Sequence, residues 1–419
     1  MPIQVFPTPS AGASYSSQPP ASASSVLLDG QLVTASSIST SVTGSGAPWL
    51  LYANGAGTTT ITIAGTPYTV PAGSTVGTAA YTGSQSVVVS ANVNVGLIPF
   101  SYGSSLSSVY YKQGAYGLIG STPYFVFIAG RDSATSTFSY STNGTTWSNG
   151  TMPSSSTWVS VAYGLVGSTG YFCSFATGTS KVAYSTNGTT WTAGTLTLDN
   201  WQWMASGVFG ANTYFVGFTN NTSCIYSTNG TTWNSMTVPT QISAYVGIAY
   251  GLVSGTPYFS GLIASNGYGM YSTNGTSWTL ITYGSTLAGA ITSAAYANGI
   301  FLCTAQNSAT YYYSSNGTSY SSGTFPIAIA MNMGGGNGVF VGIGNSATGV
   351  YSSNGITWST FVMPDTNGYS TAPVYGSVSG TGYFVAAQGG SYTNSIYSTA
   401  FTKALPIAYG IYNGATVRA

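Results

Sequence analysis

Seven apolar segments recur along the chain, and each is built around one phenylalanine. These residues are Phe125, Phe172, Phe215, Phe259, Phe301, Phe340 and Phe384. Short apolar runs between turn residues predict strands that are buried on both faces. A small apolar phrase, Ala-Tyr-Gly, stands ahead of several of them, at Ala115, Ala162 and Ala249, with looser versions at Ala295 and Val374. Each repeat therefore begins with two strands, of which the first carries small side chains.

A polar phrase follows each of these strand pairs. Ser-Thr-Asn-Gly-Thr-Thr-Trp and its variants end at aromatic residues spaced 44, 42, 45, 42 and 38 residues apart. Asn-Gly between two strands favours a hairpin, because both residues tolerate positive φ. One strand enters this phrase and a fourth leaves it.

Four strands in about 43 residues, repeated along the chain, predict an all-β protein with a β-propeller of seven to eight four-stranded blades. Seven complete units run from 114 to 403, and an eighth Ala-Tyr-Gly phrase stands at Ala408. We expect the propeller to span 97–419. An eighth blade shared between 406–419 and 96–113 is slightly favoured, with seven blades as the alternative.

The first hundred residues differ from the repeats. Residues 1–25 are rich in Pro, Ser and Ala, which predicts an extended arm. Residues 26–96 begin with a symmetrical hairpin around Asp29-Gly30 and continue with further strands, which predicts a small β-sandwich-like domain. This region is either an anchor for the protein or a spacer.

Formal charges are rare and restrict the function. Charged residues are 2% of the 419, the net charge is +1, and neither Glu nor His occurs. General acid–base catalysis needs paired titratable groups, and nucleic-acid binding needs clustered Lys and Arg. We therefore expect no enzyme, no catalytic residues and no nucleic-acid partner. Asp132, Asp199 and Asp365 fall in different repeats and are expected to be solvated.

Other motifs give no sign of a cofactor. Cys173, Cys224 and Cys303 are widely spaced and have no His to complete a metal site, so we expect buried thiols and no metal. The glycine run at 334–338 precedes a strand rather than a helix, which favours a tight turn over a phosphate-binding loop. Neither a signal peptide nor a membrane-spanning segment is predicted, and a near-neutral surface leaves homo-oligomers open.

The polar phrase resembles the Asp-box (BNR) repeat of sialidase-like propellers, with Asn in place of Asp and a loop one residue shorter. The resemblance implies a structural brace, in which Ser and Asn side chains bond to loop backbone while Trp packs into the blade. The implied brace residues are Ser141, Asn143, Trp147, Ser185, Asn187, Trp191, Ser227, Asn229, Trp233, Ser272, Asn274, Trp278, Ser352, Asn354 and Trp358. Sialidase activity is not implied, because the arginines and the glutamate it needs are missing.

The tandem repeats more closely resemble propellers of bacteriophage virion proteins, especially tail fibres and host-recognition modules. This resemblance implies a protein on the outer surface of a phage tail or capsid. Its N-terminal region would dock to other virion proteins, and its propeller loops would bind a host receptor, which we expect to be a glycan. Trp201 and Trp203 are the candidate ligand-binding residues, since exposed aromatic faces stack on sugar rings. The alternatives are a structural or head-decoration protein and a glycan-processing hydrolase.

Overall fold

The computed structural model describes most of the chain. The described residues are 4–5, 25–28, 31–34, 38–53, 59–70, 75–89, 93–97, 100–130, 133–219, 223–239, 246–263, 267–282, 291–305, 308–327, 332–344, 346, 348–364, 371–388, 393–399, 401, 409–412 and 415–418. In the strands outside 62–69 and 100–401, only the backbone is described. The chain divides into two compact units, one of 1–101, 359–365 and 402–419 and one of 102–358 and 366–401.

The N-terminal strands form two sheets. They are β1 (Gln4–Val5), β2 (Ser25–Leu28), β3 (Gln31–Thr34), β4 (Ile38–Ala53), β5 (Thr59–Ile63), β6 (Thr66–Val70), β7 (Thr75–Val89) and β8 (Val93–Leu97). One sheet has the order β1-β3-β2 and the other β6-β5-β7-β4-β8. The predicted hairpin is present, with Leu28 opposite Gln31 across Asp29-Gly30.

A short strand, β9 (Ser101–Tyr102), precedes the repeats. The first three blades contain β10 (Tyr111–Ile119), β11 (Thr122–Ala129), β12 (Thr135–Ser141), β13 (Ser148–Ser156); β14 (Trp158–Val166), β15 (Thr169–Ala176), β16 (Thr179–Ser185), β17 (Thr192–Asp199); and β18 (Trp201–Phe209), β19 (Asn212–Thr219), β20 (Cys224–Ser227), β21 (Asn234–Met236).

The next three blades contain β22 (Val246–Val253), β23 (Thr256–Ile263), β24 (Tyr268–Ser272), β25 (Thr279–Thr282); β26 (Ile291–Ala297), β27 (Ile300–Ala305), β28 (Thr310–Ser314), β29 (Ser321–Thr324); and β30 (Asn332–Gly336), β31 (Val339–Ile343), β32 (Thr348–Ser352), β33 (Ser359–Val362). The last strands are β34 (Val374–Val378), β35 (Thr381–Ala387), β36 (Ser395–Ser398), β37 (Tyr409–Tyr412) and β38 (Ala415–Arg418).

These strands make a propeller of seven four-stranded blades. Six blades use four consecutive strands, whereas the seventh has the order β34-β35-β36-β9 and so takes its outer strand from ahead of the first blade. The expectation of an eighth blade is wrong. Its two proposed parts are used elsewhere, because β9 completes the seventh blade and β37 pairs with β38 in a separate two-stranded sheet.

The second strand of each blade carries the core, as the apolar pattern predicts. The seven phenylalanines of the repeat are at most 1% exposed. The first strands contact one another from blade to blade, and the contact between β10 and β34 closes the ring. Within each blade consecutive strands are antiparallel, so the first–second and third–fourth connections lie at one end of the propeller, here called the hairpin end. The other connections lie at the opposite end.

Tyrosine and glycine of the Ala-Tyr-Gly phrase join neighbouring blades. A Cβ on Gly117 would lie 2.1 Å from the ring of Tyr163 in the next blade, and the same relation holds between Gly251 and Tyr296. The hydroxyl of Tyr163 donates to the carbonyl oxygen of Leu118. The phrase is therefore an interblade contact, in which glycine makes room for the neighbouring aromatic ring.

Candidate functional site

A cavity of about 730 Å³ lies at the start of the first strands. All seven blades line it, including Gln113, Val159, Trp203, Ser293 and Met333. These residues stand at the beginnings of their strands, so the cavity opens at the end opposite the hairpin end. We call it the channel mouth. Its volume lies in the range of sites that bind small ligands.

The wall of the channel mouth is almost uncharged and rich in hydrogen-bonding groups. Among the described residues that line it, Lys112 alone carries a formal charge. Gln202 donates from Nε2 to Thr177 Oγ1 at 3.3 Å. Burial raises the pKa of the Tyr250 and Tyr375 hydroxyls, so both stay neutral near pH 7. The wall thus presents mainly neutral hydrogen-bonding groups to the cavity.

The two predicted ligand-binding tryptophans have different environments. Trp203 lines the channel mouth, is half-buried, and donates from Nε1 to the carbonyl oxygen of Ile248 at 2.8 Å. Trp201 is 1% exposed and packs on Phe175 with ring centroids 5.5 Å apart. The expectation that Trp201 is exposed is wrong. Residues two apart share a face in a regular strand, but the bulge between Trp201 and Trp203 turns the two rings to different faces.

Four first strands carry a β-bulge next to the channel mouth. The register shifts between Tyr111 and Gln113, Trp158 and Ser160, Trp201 and Trp203, and Ile291 and Ser293. The four extra residues are Lys112, Val159, Gln202 and Thr292, and all of them line the cavity. Sequence reasoning missed this set. Each member stands three residues ahead of an alanine, namely Ala115, Ala162, Ala205 or Ala295. The same spacing occurs at Val246, where the strand has no bulge, so the sequence holds no signal that marks the set.

The implied brace residues lie at the hairpin end, away from the channel mouth. In the first blade Gly144 N–H donates to Ser141 Oγ at 2.8 Å, and Thr146 N–H donates to Asn143 Oδ1 at 2.8 Å. The Gly-to-Ser bond recurs in the next five copies at 2.8–2.9 Å. The side chains of Ser and Asn therefore close each loop on itself.

The aromatic residues of these loops pack into the blades. Trp278 stacks on Phe259 with centroids 5.9 Å apart and meets Phe218 of the preceding blade edge-on at 5.1 Å. Trp191 likewise meets Phe138 of the preceding blade at 5.8 Å. Trp191 is buried and Trp278 half-buried, and both rings contribute to the packing between blades.

Reactive groups are scarce in the described part of the protein. The carboxylates of Asp132, Asp199 and Asp365 lie outside the described side chains. No group of three or more His, Cys, Asp or Glu in the described residues could hold a metal ion. The three cysteines are buried as free thiols. Within the described residues, no helix has the length and apolar character that a membrane crossing requires.

Comparison with known proteins identifies the fold. The chain is similar to the structure of streptogramin B lyase, with 13% identity, a TM-score of 0.56 and coverage of 71% of this chain and 96% of that chain. For virginiamycin B lyase from Staphylococcus aureus the identity is 10% and the TM-score 0.55, with coverage of 71% of this chain and 98% of that chain. For the WD40 β-propeller domain of Doa1 the identity is 12% and the TM-score 0.50, with coverage of 71% of this chain and 96% of that chain. No protein-family model matches the chain, and no curated protein resembles it in sequence.

At these identities the likeness establishes a seven-bladed propeller and no activity. Propellers host many unrelated functions, so function depends on the site rather than the fold.

Proposed function

We propose that the protein is a non-enzymatic virion surface protein, of the tail-fibre or adhesin kind, that binds a host cell-surface glycan at the channel mouth. One observation carries this proposal. The cavity combines the half-buried ring of Trp203 with uncharged hydrogen-bonding groups such as Gln202 and Thr177. Sugars present hydroxyl groups and apolar C–H faces, which match such a wall.

The virion setting rests on the resemblance of the tandem repeats to phage host-recognition propellers. In this proposal residues 26–96 dock to other virion proteins, and the propeller presents its channel mouth outward. Many copies on one particle would turn weak single contacts into firm attachment. No bond of the glycan is cleaved, so the bound saccharide is recovered unchanged.

The test is binding of the purified full-length protein to host cells and to their extracted surface glycans. Trp203→Leu removes the aromatic face and should weaken glycan binding about five- to 150-fold, since stacking on an aromatic ring is worth about 1–3 kcal/mol. Trp203→Phe keeps a face and should retain most of the affinity. Tyr102→Leu removes an exposed aromatic that does not line the cavity and serves as the matched control.

Saturable binding that Trp203→Leu alone abolishes supports the proposal. Equal binding by all four proteins would exclude the channel mouth as the site. Loss of the saccharide during incubation, with release of smaller sugars, would show that the protein is an enzyme.

A structural or head-decoration role is favoured by a different feature. Leu118, Leu165, Val208 and Leu252 occupy equivalent positions at the hairpin end of four consecutive blades and are 41–49% exposed. Exposed apolar groups in a row are typical of protein contacts. If neighbouring virion subunits cover them, Leu165→Ser with Leu252→Ser should block incorporation into particles and leave glycan binding intact.

A further inference from the structure

The four bulged residues combine a shared backbone geometry with different chemistry. A bulge places one unpaired residue in a strand and changes the direction of its side chain. Here it supplies the cavity wall with the side chains of Lys112, Val159, Gln202 and Thr292, which differ in charge, polarity and size. The Thr292 hydroxyl also shares a 3.0 Å hydrogen bond with Thr304 Oγ1 on the adjacent strand. Other positions of this strand also vary among the four blades, so the bulged position stands out by its geometry rather than by variation alone.

The residue ahead of each bulge is large and buried. Tyr111, Trp158, Trp201 and Ile291 are at most 6% exposed. Tyr111 shares a 2.6 Å hydrogen bond with Ser139 Oγ, and Trp158 Nε1 donates to the carbonyl oxygen of Ser154 at 3.1 Å. These anchors hold the backbone on one side of the bulge. Trp201 therefore positions Gln202 instead of touching a ligand itself.

The residue after the bulge links neighbouring blades in all four cases, since Trp203 Nε1 also donates to the carbonyl oxygen of Ile248. Ser160 Oγ donates to Gln113 Oε1 and accepts from Met204 N–H at 2.8 Å. Ser293 Oγ accepts from Met333 N–H at 2.8 Å. With the backbone fixed on both sides, the exposed or half-buried side chains of Lys112, Gln202 and Thr292 can change without altering the ring, whereas Val159 also packs in the core between the second and third blades. Such positions are suited to set ligand preference.

We propose that Lys112, Val159, Gln202 and Thr292 are the specificity-determining residues of the channel mouth and select which oligosaccharide it accepts. This inference rests on the proposed function. Three of the four residues stand on adjacent blades, and Thr292 stands on the fifth blade, so a short oligosaccharide in the cavity meets them from two sides. Gln202 gives one N–H to Thr177 and keeps its second N–H and its carbonyl oxygen for sugar hydroxyls.

The experiment measures binding of full-length protein to a panel of immobilised oligosaccharides that includes epimers and deoxy forms of the best ligand. Gln202→Leu, Thr292→Val, Val159→Thr and Lys112→Met are compared with Asn212→Leu and Val208→Thr, two matched controls at exposed positions of the hairpin end. Each channel-mouth variant should change the ratio between the best ligand and a close analogue about tenfold. The controls should leave that ratio unchanged, and thermal unfolding confirms folding.

Three outcomes separate this inference from the proposed function. Altered ratios confined to the channel-mouth variants support it. Unaltered ratios, together with loss of binding in Trp203→Leu, overturn the specificity assignment and leave glycan binding in place. No binding of any oligosaccharide by the unaltered protein overturns both. Because Lys112 is exposed, Lys112→Met should fold, and it keeps the inference testable even if a substitution at a more buried position prevents folding.

Discussion

The hydroxyl of Tyr116 in the first blade donates to the carbonyl oxygen of Ser377 in the last blade at 2.5 Å. The same bond joins Tyr296 to Leu252 at 2.5 Å and Tyr250 to Val208 at 2.8 Å. The contact that closes the ring is therefore one more copy of the contact that joins consecutive blades. Between the first strands, closure therefore uses the same residues of the repeat, whereas the outer strand of the last blade is supplied by β9 from ahead of the repeats.

Tyr116→Phe removes the hydrogen bond of the closing contact and keeps the ring that packs on Gly376. We expect the free energy of unfolding to fall by about 1 kcal/mol, the usual net value of one hydrogen bond. Urea denaturation measures it. Tyr110→Phe is the control, because Tyr110 is largely exposed and its change should be near zero. Equal stability of both variants would show that the closing bond contributes nothing.

Gly117→Ala tests the packing side of the same contact. The new Cβ would lie 2.1 Å from the ring of Tyr163, and an overfilled core site costs about 1–3 kcal/mol. In a Tyr163→Ser background, where the ring that the new Cβ would meet is absent, the same substitution should cost less. A double-mutant cycle in urea measures the coupling. Additive losses would mean that the ring and the glycine do not interact.

The repeat predicted most of the fold because its turns and strands are determined by residues close together in the sequence. Asn-Gly turns and apolar phenylalanine strands are decided within a few residues, and both are where the pattern predicts. The number of blades was not predictable in this way. Whether β9 or 406–419 supplies the last strand depends on a pairing between distant parts of the chain, which no local pattern contains.

The site was less predictable for a similar reason. The sequence Trp201-Gln202-Trp203 does not reveal the bulge, so the buried ring of Trp201 could not be distinguished from the half-buried ring of Trp203. The glycines at 334–336 looked like part of a turn, but the turn is at Asn337-Gly338, and the three belong to β30. A Cβ at Gly334 would lie 1.9 Å from the Pro373 carbonyl oxygen, a contact between blades that only the tertiary structure reveals.

Substitutions of Asn143 measure how much its side-chain hydrogen bonds stabilise the repeated Asn-Gly loop. Asn143→Ala removes the oxygen that accepts from Thr145 and Thr146 N–H, and should cost about 1 kcal/mol. Asn143→Asp keeps that acceptor and should be close to neutral at pH 7. Backbone N–H donors lower the folded pKa of the new carboxyl below its unfolded value of about 3.9. Its stabilisation is therefore present above pH 4 and is lost as the pH falls through the folded pKa.

Thermal unfolding of the three proteins at pH 7 and at pH 3 measures this effect. The unaltered protein and Asn143→Ala should differ by the same amount at both values, whereas Asn143→Asp should lose stability relative to them in acid. If Asn143→Asp is as unstable as Asn143→Ala at pH 7, the loop needs the amide N–H rather than the oxygen, and the bond from Nδ2 to Thr146 Oγ1 at 2.8 Å becomes the important one.

The buried thiol and phenol groups should make the protein lose stability at alkaline pH but not between about pH 5 and 8. With no His in the chain, no side chain of ordinary pKa titrates between about pH 5 and 8. Burial raises the pKa of the Cys303 thiol to about 12 and also raises those of Cys173 and Tyr111. A group whose folded pKa is raised stabilises the protein fully below its unfolded pKa, about 8.5 for Cys and 10 for Tyr. That stabilisation is lost as the pH rises towards the folded value.

The melting temperature should thus be flat from pH 5 to 8 and fall steadily between about pH 9 and 12. Cys303→Ala, compared with the unaltered protein by calorimetry at each pH, should melt lower at pH 7 because it leaves a small void. It should lose less stability between pH 9 and 11, since one buried thiol no longer has to ionise. Parallel curves for the two proteins across that interval would show that Cys303 contributes nothing to the alkaline transition, and Tyr111→Phe would then be the variant expected to flatten it.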